Sequence, residues 1–170
     1  MNLLFRLILV LFSGFMSKTR TSIMDVHSVW FRVLPNDLDT NLHMNNGRYL
    51  TIMDLGRVDA LIRSGLIKKV ISEKWMPVIA GVSMIYRRSL SPFERYRLET
   101  HLIGWDEKWV YMEQVFIRQN DDVAVRGYVK ATFLKKGLRV PNADIAVAAN
   151  YSGNSPVLSD ELLALFPKTV

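Results

Sequence analysis

The chain opens on the apolar stretch Asn2–Met16, interrupted by Arg6, Ser13 and Gly14 and followed by Lys18 and Arg20. A membrane-spanning helix needs about 20 apolar residues, so this stretch is too short to cross comfortably. A secretory signal places its positive charge ahead of the apolar core and ends on small residues. Here the charge lies inside and after the core, and Phe15-Met16-Ser17 makes a poor cleavage site. The preferred expectation is an uncleaved helix lying on a membrane surface. The alternative is a helix packed on its own domain or on a partner subunit. Residues 1–23 are accordingly read as an apolar leader and residues 24–170 as the domain, for which Met24 would be a natural start.

After Met24 the pattern predicts a strand, a helix and four more strands. Val26–Leu34 is rich in Val, Trp and Phe and stops at Pro35. Beyond Asn45 and Asn46, the residues Tyr49, Ile52, Met53, Gly56 and Ala60 recur at helical spacing on one face. Two of the five are small, which lets the backbone lie close to a sheet, and Gly65 supplies a C-terminal cap. Extended segments are predicted over 76–90, 93–105, 108–119 and 123–136, with turn-like breaks at 105–108 and 120–122. The last three then form an antiparallel meander. Residues 140–156, with Pro, Asn, Ser and Gly, read as an irregular loop, and Ser159 caps a short helix over 160–166. A long helix lying along a curved antiparallel sheet is an α+β architecture.

Composition narrows the classes. A chain of 170 residues with 49% hydrophobic and 22% charged residues suits one globular domain. It has no cysteine, which removes disulfides, thiolate metal sites and a cysteine nucleophile. The formal net charge of +6 attracts phosphate, but no basic recognition helix accompanies it, so a nucleic-acid partner is not expected. G-x-S-x-G, G-x-G-x-x-G and P-loop motifs are absent, and the three histidines lack metal-ligand spacing. Neither a metal nor a resident cofactor is expected.

The candidate chemistry lies between the first strand and the long helix, in Asn36-Asp37-Leu38-Asp39-Thr40-Asn41-Leu42-His43-Met44-Asn45-Asn46-Gly47-Arg48-Tyr49. Capping by Asn45 or Asn46 and an Asx-turn at Asp37 explain part of this polar cluster, not all of it. A helix N-terminus offers free N–H groups that polarise a carbonyl oxygen. A carboxylate just upstream serves as a base or a nucleophile.

Asp37-Leu38-Asp39, His43-Met44-Asn45-Asn46 and Arg48-Tyr49-Leu50 resemble the D-x-D-x-x-G-H-x-N-N-x-x-Y-L signature of the 4-hydroxybenzoyl-CoA thioesterase family. The likeness continues through Asp54 and Arg57. Leu42-His43-Met44-Asn45-Asn46, Arg87-Arg88-Ser89-Leu90 and Leu102-Ile103-Gly104-Trp105-Asp106 further resemble its branch of thioesterase superfamily member 6-like proteins. The resemblance implies a hotdog fold, a five-stranded antiparallel sheet wrapped around a long central helix. It also implies hydrolysis of an acyl-CoA thioester to free acid and CoA. In that pattern Asp39 matches the catalytic aspartate and Asn46 the position whose N–H polarises the thioester oxygen. His43 and Asn45 match loop-bracing positions, while Asp37, Tyr49, Asp54 and Arg57 match recurrent supporting ones. Asn45 and Tyr49 are also expected near the substrate, with Arg87 and Arg88 near cofactor phosphates; Arg95 and Arg97 join them on grounds of charge alone. The implied assembly is a homodimer or dimer of dimers, cytoplasmic or held at a membrane through residues 2–16. One position departs from the signature: Leu42 stands where the glycine is expected, and this keeps open a non-catalytic acyl-ligand binder or membrane-associated interaction protein on the same fold.

Overall fold

The computed structural model describes residues 2–17 and 21–166. Its elements run α1 (Asn2–Met16), β1 (His27–Arg32), a 3-10 turn (Pro35–Asp37), α2 (Asn46–Arg63), α3 (Leu66–Ser72), β2 (Met76–Tyr86) and β3 (Arg95–Trp105). β4 (Val110–Arg118), β5 (Val123–Lys135), β6 (Leu138–Arg139), α4 (Asn142–Ala148) and α5 (Asp160–Ala164) complete the chain. The strand order is β1-β3-β4-β5-β2, with β6 a short hairpin partner of β5. Every pairing is antiparallel. A five-stranded path around a long helix is the expected hotdog arrangement, and β3-β4-β5 is the expected meander.

Local chemistry sets the length of α2. The Asn45 side chain caps it by accepting from Gly47 N–H at 2.8 Å. At the other end Gly65 adopts φ 78°, the left-handed turn that stops a helix and that glycine adopts without penalty. The buried face holds Tyr49, Ile52, Met53 and Gly56, as the spacing predicts, and adds Leu55, Asp59 and Ile62. A Cβ on Gly56 would stand 2.7 Å from both Leu98 Cδ2 and Thr100 Oγ1, so only glycine permits this approach of helix to sheet. Gln114, fully buried on β4, fastens the contact. Its amide donates to Met53 O at 3.0 Å and to Thr100 Oγ1 at 2.9 Å, and it accepts from Arg57 at 2.7 Å.

Two segments depart from the sequence reading. Residues 140–156 are not wholly irregular, because α4 forms within them and buries Asn142 and Ile145. The extended segment expected to run to residue 90 stops before Arg87 and Arg88. β2 ends at Tyr86, and both arginine N–H groups turn onto Ala124 O, at 2.9 and 3.0 Å. In each case tertiary partners decide what local composition leaves open.

The helix α1 packs along α2, burying Val10 and Gly14 on its inner side. Arg6 is buried as well, at 5% exposure. Its guanidinium meets Asp37 Oδ2 at 2.5 Å and Arg32 O at 2.7 Å. Asp37, fully buried, also takes Arg48 at 2.9 and 3.1 Å and Leu34 N–H at 2.9 Å. Removing one partner of a buried ion pair strands the other charge away from water, at a cost of about 3–5 kcal/mol. We expect Asp37→Asn to destabilise the fold by that amount in urea unfolding. Arg6→Met should cost less, since Arg48 still faces Asp37; a midpoint for Asp37→Asn equal to the parent's would show that the cluster holds nothing together.

Candidate active site

The loop between β1 and α2 is folded back on itself. Leu38 and Met44 form an isolated antiparallel bridge, and Met44 is buried beneath it. Asp39 N–H donates to His43 O at 2.9 Å, and Leu42 N–H to Asp39 O at 3.1 Å. Asn45 N–H reaches Asp37 O at 2.8 Å and Met44 N–H reaches Leu90 O at 3.0 Å, tying the loop to the buried ion cluster and to the segment after β2. The Asp39 side chain completes the turn. Its Oδ1 accepts from Asn41 N–H at 2.8 Å and from His43 N–H at 3.2 Å. Among the described residues Oδ2 has no hydrogen-bond partner, and the residue is partly exposed. One oxygen orients the group and the other is free to meet a water or a carbonyl carbon.

The start of α2 lies directly after this loop. Asn45 serves Gly47 N–H with its side chain and Arg48 N–H with its carbonyl. Asn46 N–H has no acceptor among the described residues, so it is the donor left over at the positive end of an 18-residue helix. A carbonyl oxygen drawn to that N–H is polarised towards attack. Asp39 and Asn46 therefore belong to one loop-to-helix junction. His43 contributes its backbone to the turn, while its imidazole is exposed.

Tyr49 is 1% exposed, edge-on to Phe116 and Tyr86, and burial pushes its phenol up to about 12. It stands as a neutral core residue that seats the first turn of α2. Tyr86 was not singled out by the sequence. Its hydroxyl donates to Asn46 O at 3.3 Å, which brings the end of β2, and with it Arg87 and Arg88, to the helix start. Both arginines are exposed; Arg88 stands 3.8 Å from Asp122 and Arg87 forms no ion pair among the described residues. Arg95 and Arg97 are instead laid over Trp30, and Arg97 also pairs with Glu99 at 2.8 Å.

Leu42 has φ 58°, the left-handed conformation that the signature's glycine adopts freely. Its side chain is 66% exposed, so it neither fills the loop nor displaces Asp39. The loop holds the glycine-like backbone despite the substitution, at a conformational cost of about 1–2 kcal/mol. We expect Leu42→Gly to raise the urea midpoint by about 1 kcal/mol equivalent. A neutral or lower midpoint would mean that the loop relaxes out of this conformation.

Comparison with known proteins bears on the family and the fold. The family model described as Thioesterase-like superfamily matches residues 33–166. The protein THEM6 of Xenopus laevis is 44% identical over 96 residues, 56% of this chain and 46% of that protein, so the chain spans about half the length of that relative. In the fold, a probable thioesterase YbaW of Escherichia coli superposes with a TM-score of 0.67 at 17% identity, covering 72% of this chain and 95% of that one. The protein SAV2348 of Staphylococcus aureus, solved in complex with CoA, superposes with a TM-score of 0.66 at 14% identity, covering 85% of this chain and 96% of that one. With its sheet order and a family match running over residues 33–166, the chain belongs to the thioesterase-like superfamily.

Proposed function

We propose that this protein hydrolyses an acyl-CoA thioester to the free acid and CoA. The observation that carries the reading is a pinned Asp39 carboxylate followed, at the start of α2, by the Asn46 N–H; among the described residues neither Asp39 Oδ2 nor that N–H has a partner. The thioester oxygen turns to Asn46 N–H. Asp39 then either takes a proton from water as it adds to the carbonyl carbon or adds to that carbon itself. The carbon–sulfur bond breaks, CoA leaves as thiolate, and in the second route water hydrolyses the acyl–aspartate anhydride. Arg87 would meet cofactor phosphate; in support, it is exposed, forms no ion pair among the described residues and follows Tyr86, whose hydroxyl reaches Asn46 O at the helix start. The glycine-like backbone at Leu42 favours this reading over that of a binder without turnover.

Two exposed apolar faces bear on the assembly. β2 is a sheet edge with one strand neighbour, and Ile79, Val82 and Ile85 remain 39–40% exposed along it, beside Leu50 of α2 at 41%. An uncovered apolar edge of 11 residues favours pairing with a second copy of the chain, which would lay a partner beside the helix. The second face is on α1, where Leu4, Phe5, Ile8, Leu9, Phe12, Phe15 and Met16 stand 51–67% exposed, opposite the buried Arg6. No helix of the described residues is long and apolar enough to cross a membrane. An apolar face that lies along its own domain fits contact with a membrane surface instead.

Two experiments follow from these placements. Asp39→Asn, assayed against CoA thioesters from acetyl to palmitoyl and aryl with free-thiol detection, should lose roughly two to four decades in kcat while unfolding at a midpoint near the parent's. Undiminished turnover would take Asp39 out of the mechanism, and a matching loss of stability would restrict it to the turn. Leu9→Glu with Phe12→Glu, both at exposed positions, should abolish co-sedimentation with anionic vesicles and leave folding intact. Truncation before Met24 is a poorer probe, because it removes Arg6 from Asp37.

A further inference from the structure

Protein interiors leave few voids larger than a water molecule. This one leaves a cavity of about 220 Å³ beneath the second half of α2, between the inner face of the sheet and α4. Val58, Leu61, Leu102, Met112, Phe133 and Ile145 supply much of its apolar wall. α4 forms the roof through Ile145, Ala146 and Ala149. Its start is anchored by Asn142, whose amide donates to Asp106 O at 2.6 Å. The cavity is distinct from the Asp39 loop, none of whose residues line it.

The wall is not uniformly apolar. Four buried side-chain polar atoms among the described residues lack a hydrogen-bond partner, and three belong to residues that line this cavity: His27 Nε2, Thr132 Oγ1 and Asn142 Oδ1. Those three residues are 4%, 3% and 7% exposed. Buried polar groups are ordinarily satisfied, so a cluster of orphans around one void marks a place where a polar partner is missing. The charged lining residues do not offer themselves to an ionised ligand. Asp54 and Arg57 pair with each other, and Arg57 is also held by Gln114.

We propose that this cavity is a binding site for an unbranched hydrocarbon chain with a neutral hydrogen-bonding group. An engineered apolar cavity of about 150 Å³ holds a benzene ring, which by proportion gives about eight to ten carbons here. The chain has two sources. One is the acyl group of a thioester, since the first α2 residue lining the cavity, Asp54, lies eight residues beyond Asn46, or about 12 Å along the helix. The other is a separate neutral lipid. Only the acyl source rests on the thioesterase reading; the site does not.

The test titrates the full chain with 1-decanol by calorimetry, beside Ala146→Phe, which fills the void from its roof, and Val58→Phe, which fills it from α2. The parent should bind one decanol per chain. Either variant should weaken binding at least tenfold while melting at or above the parent's temperature. No binding by the parent, or unaltered binding by a folded, filled variant, would overturn the proposal. Kinetics then separate the sources. A raised KM for decanoyl-CoA with acetyl-CoA unaffected assigns the chain to the acyl group; an unchanged chain-length profile with decanol binding lost assigns it to a separate lipid. If no thioester is hydrolysed at all, the thioesterase reading fails and decanol binding still decides the site.

Discussion

One buried carboxylate organises the functional end of the molecule. Asp37 gathers Arg6 from α1, Arg48 from α2 and Leu34 N–H from the end of β1, with no exposure to water. A charge so enclosed depends on its partners, because desolvation costs several kcal/mol per buried ion. The constraint extends to the next residues. Asp37 O holds Asn45 N–H, and the loop Leu38–Met44 closes between these fixed points. Asp39 therefore owes its position to an ion cluster two residues upstream, and α1 takes part in that cluster.

The same helix that presents the site also creates the void. Just past its middle α2 is drawn onto the sheet by Gly56, whose lack of a side chain allows contact with Leu98 and Thr100, and by Gln114, which bonds across the gap. Farther along, Val58 and Leu61 face open volume that α4 roofs. The helix is thus packed closely at its start and near Gly56, and leaves room beyond.

The surface carries a related division. The free edge of β2 and the outer face of α1 expose apolar side chains, while the cations near them are engaged. Arg95 and Arg97 lie over Trp30, and Lys130 and Arg139 lie over Trp109. Among the described residues many cations are thus engaged by aromatic and acidic partners. Arg87 stands apart from that pattern, exposed and beside the helix start.

The order strand, long helix, four strands was legible because period-2 and period-3.6 patterns are local, as were the Asn45 cap, the Gly65 stop and the Ser159 cap. The cluster around Asp39 was legible too, since its polar residues exceed what a turn consumes. What the sequence could not determine depends on partners distant along the chain. Arg6 reads as a flaw in an apolar helix until Asp37, 31 residues on, is seen to receive it. Residues 140–156 read as loop because their turn-forming composition outweighs a short apolar pattern, whereas α4 is held by Ile145 packing in a cluster with Leu66, Val70 and Trp75 and by Asn142 bonded to Asp106 O. Tyr86 carries no local mark of its contact with Asn46, which the packing of β2 against the helix start alone creates. Leu42 is the sharpest case: its residue type predicts a changed loop, yet the hydrogen bonds of Asp39 and the Leu38–Met44 bridge hold it at φ 58°. Local pattern determined which elements form, and the closing of those elements on one another decided which side chains became a site.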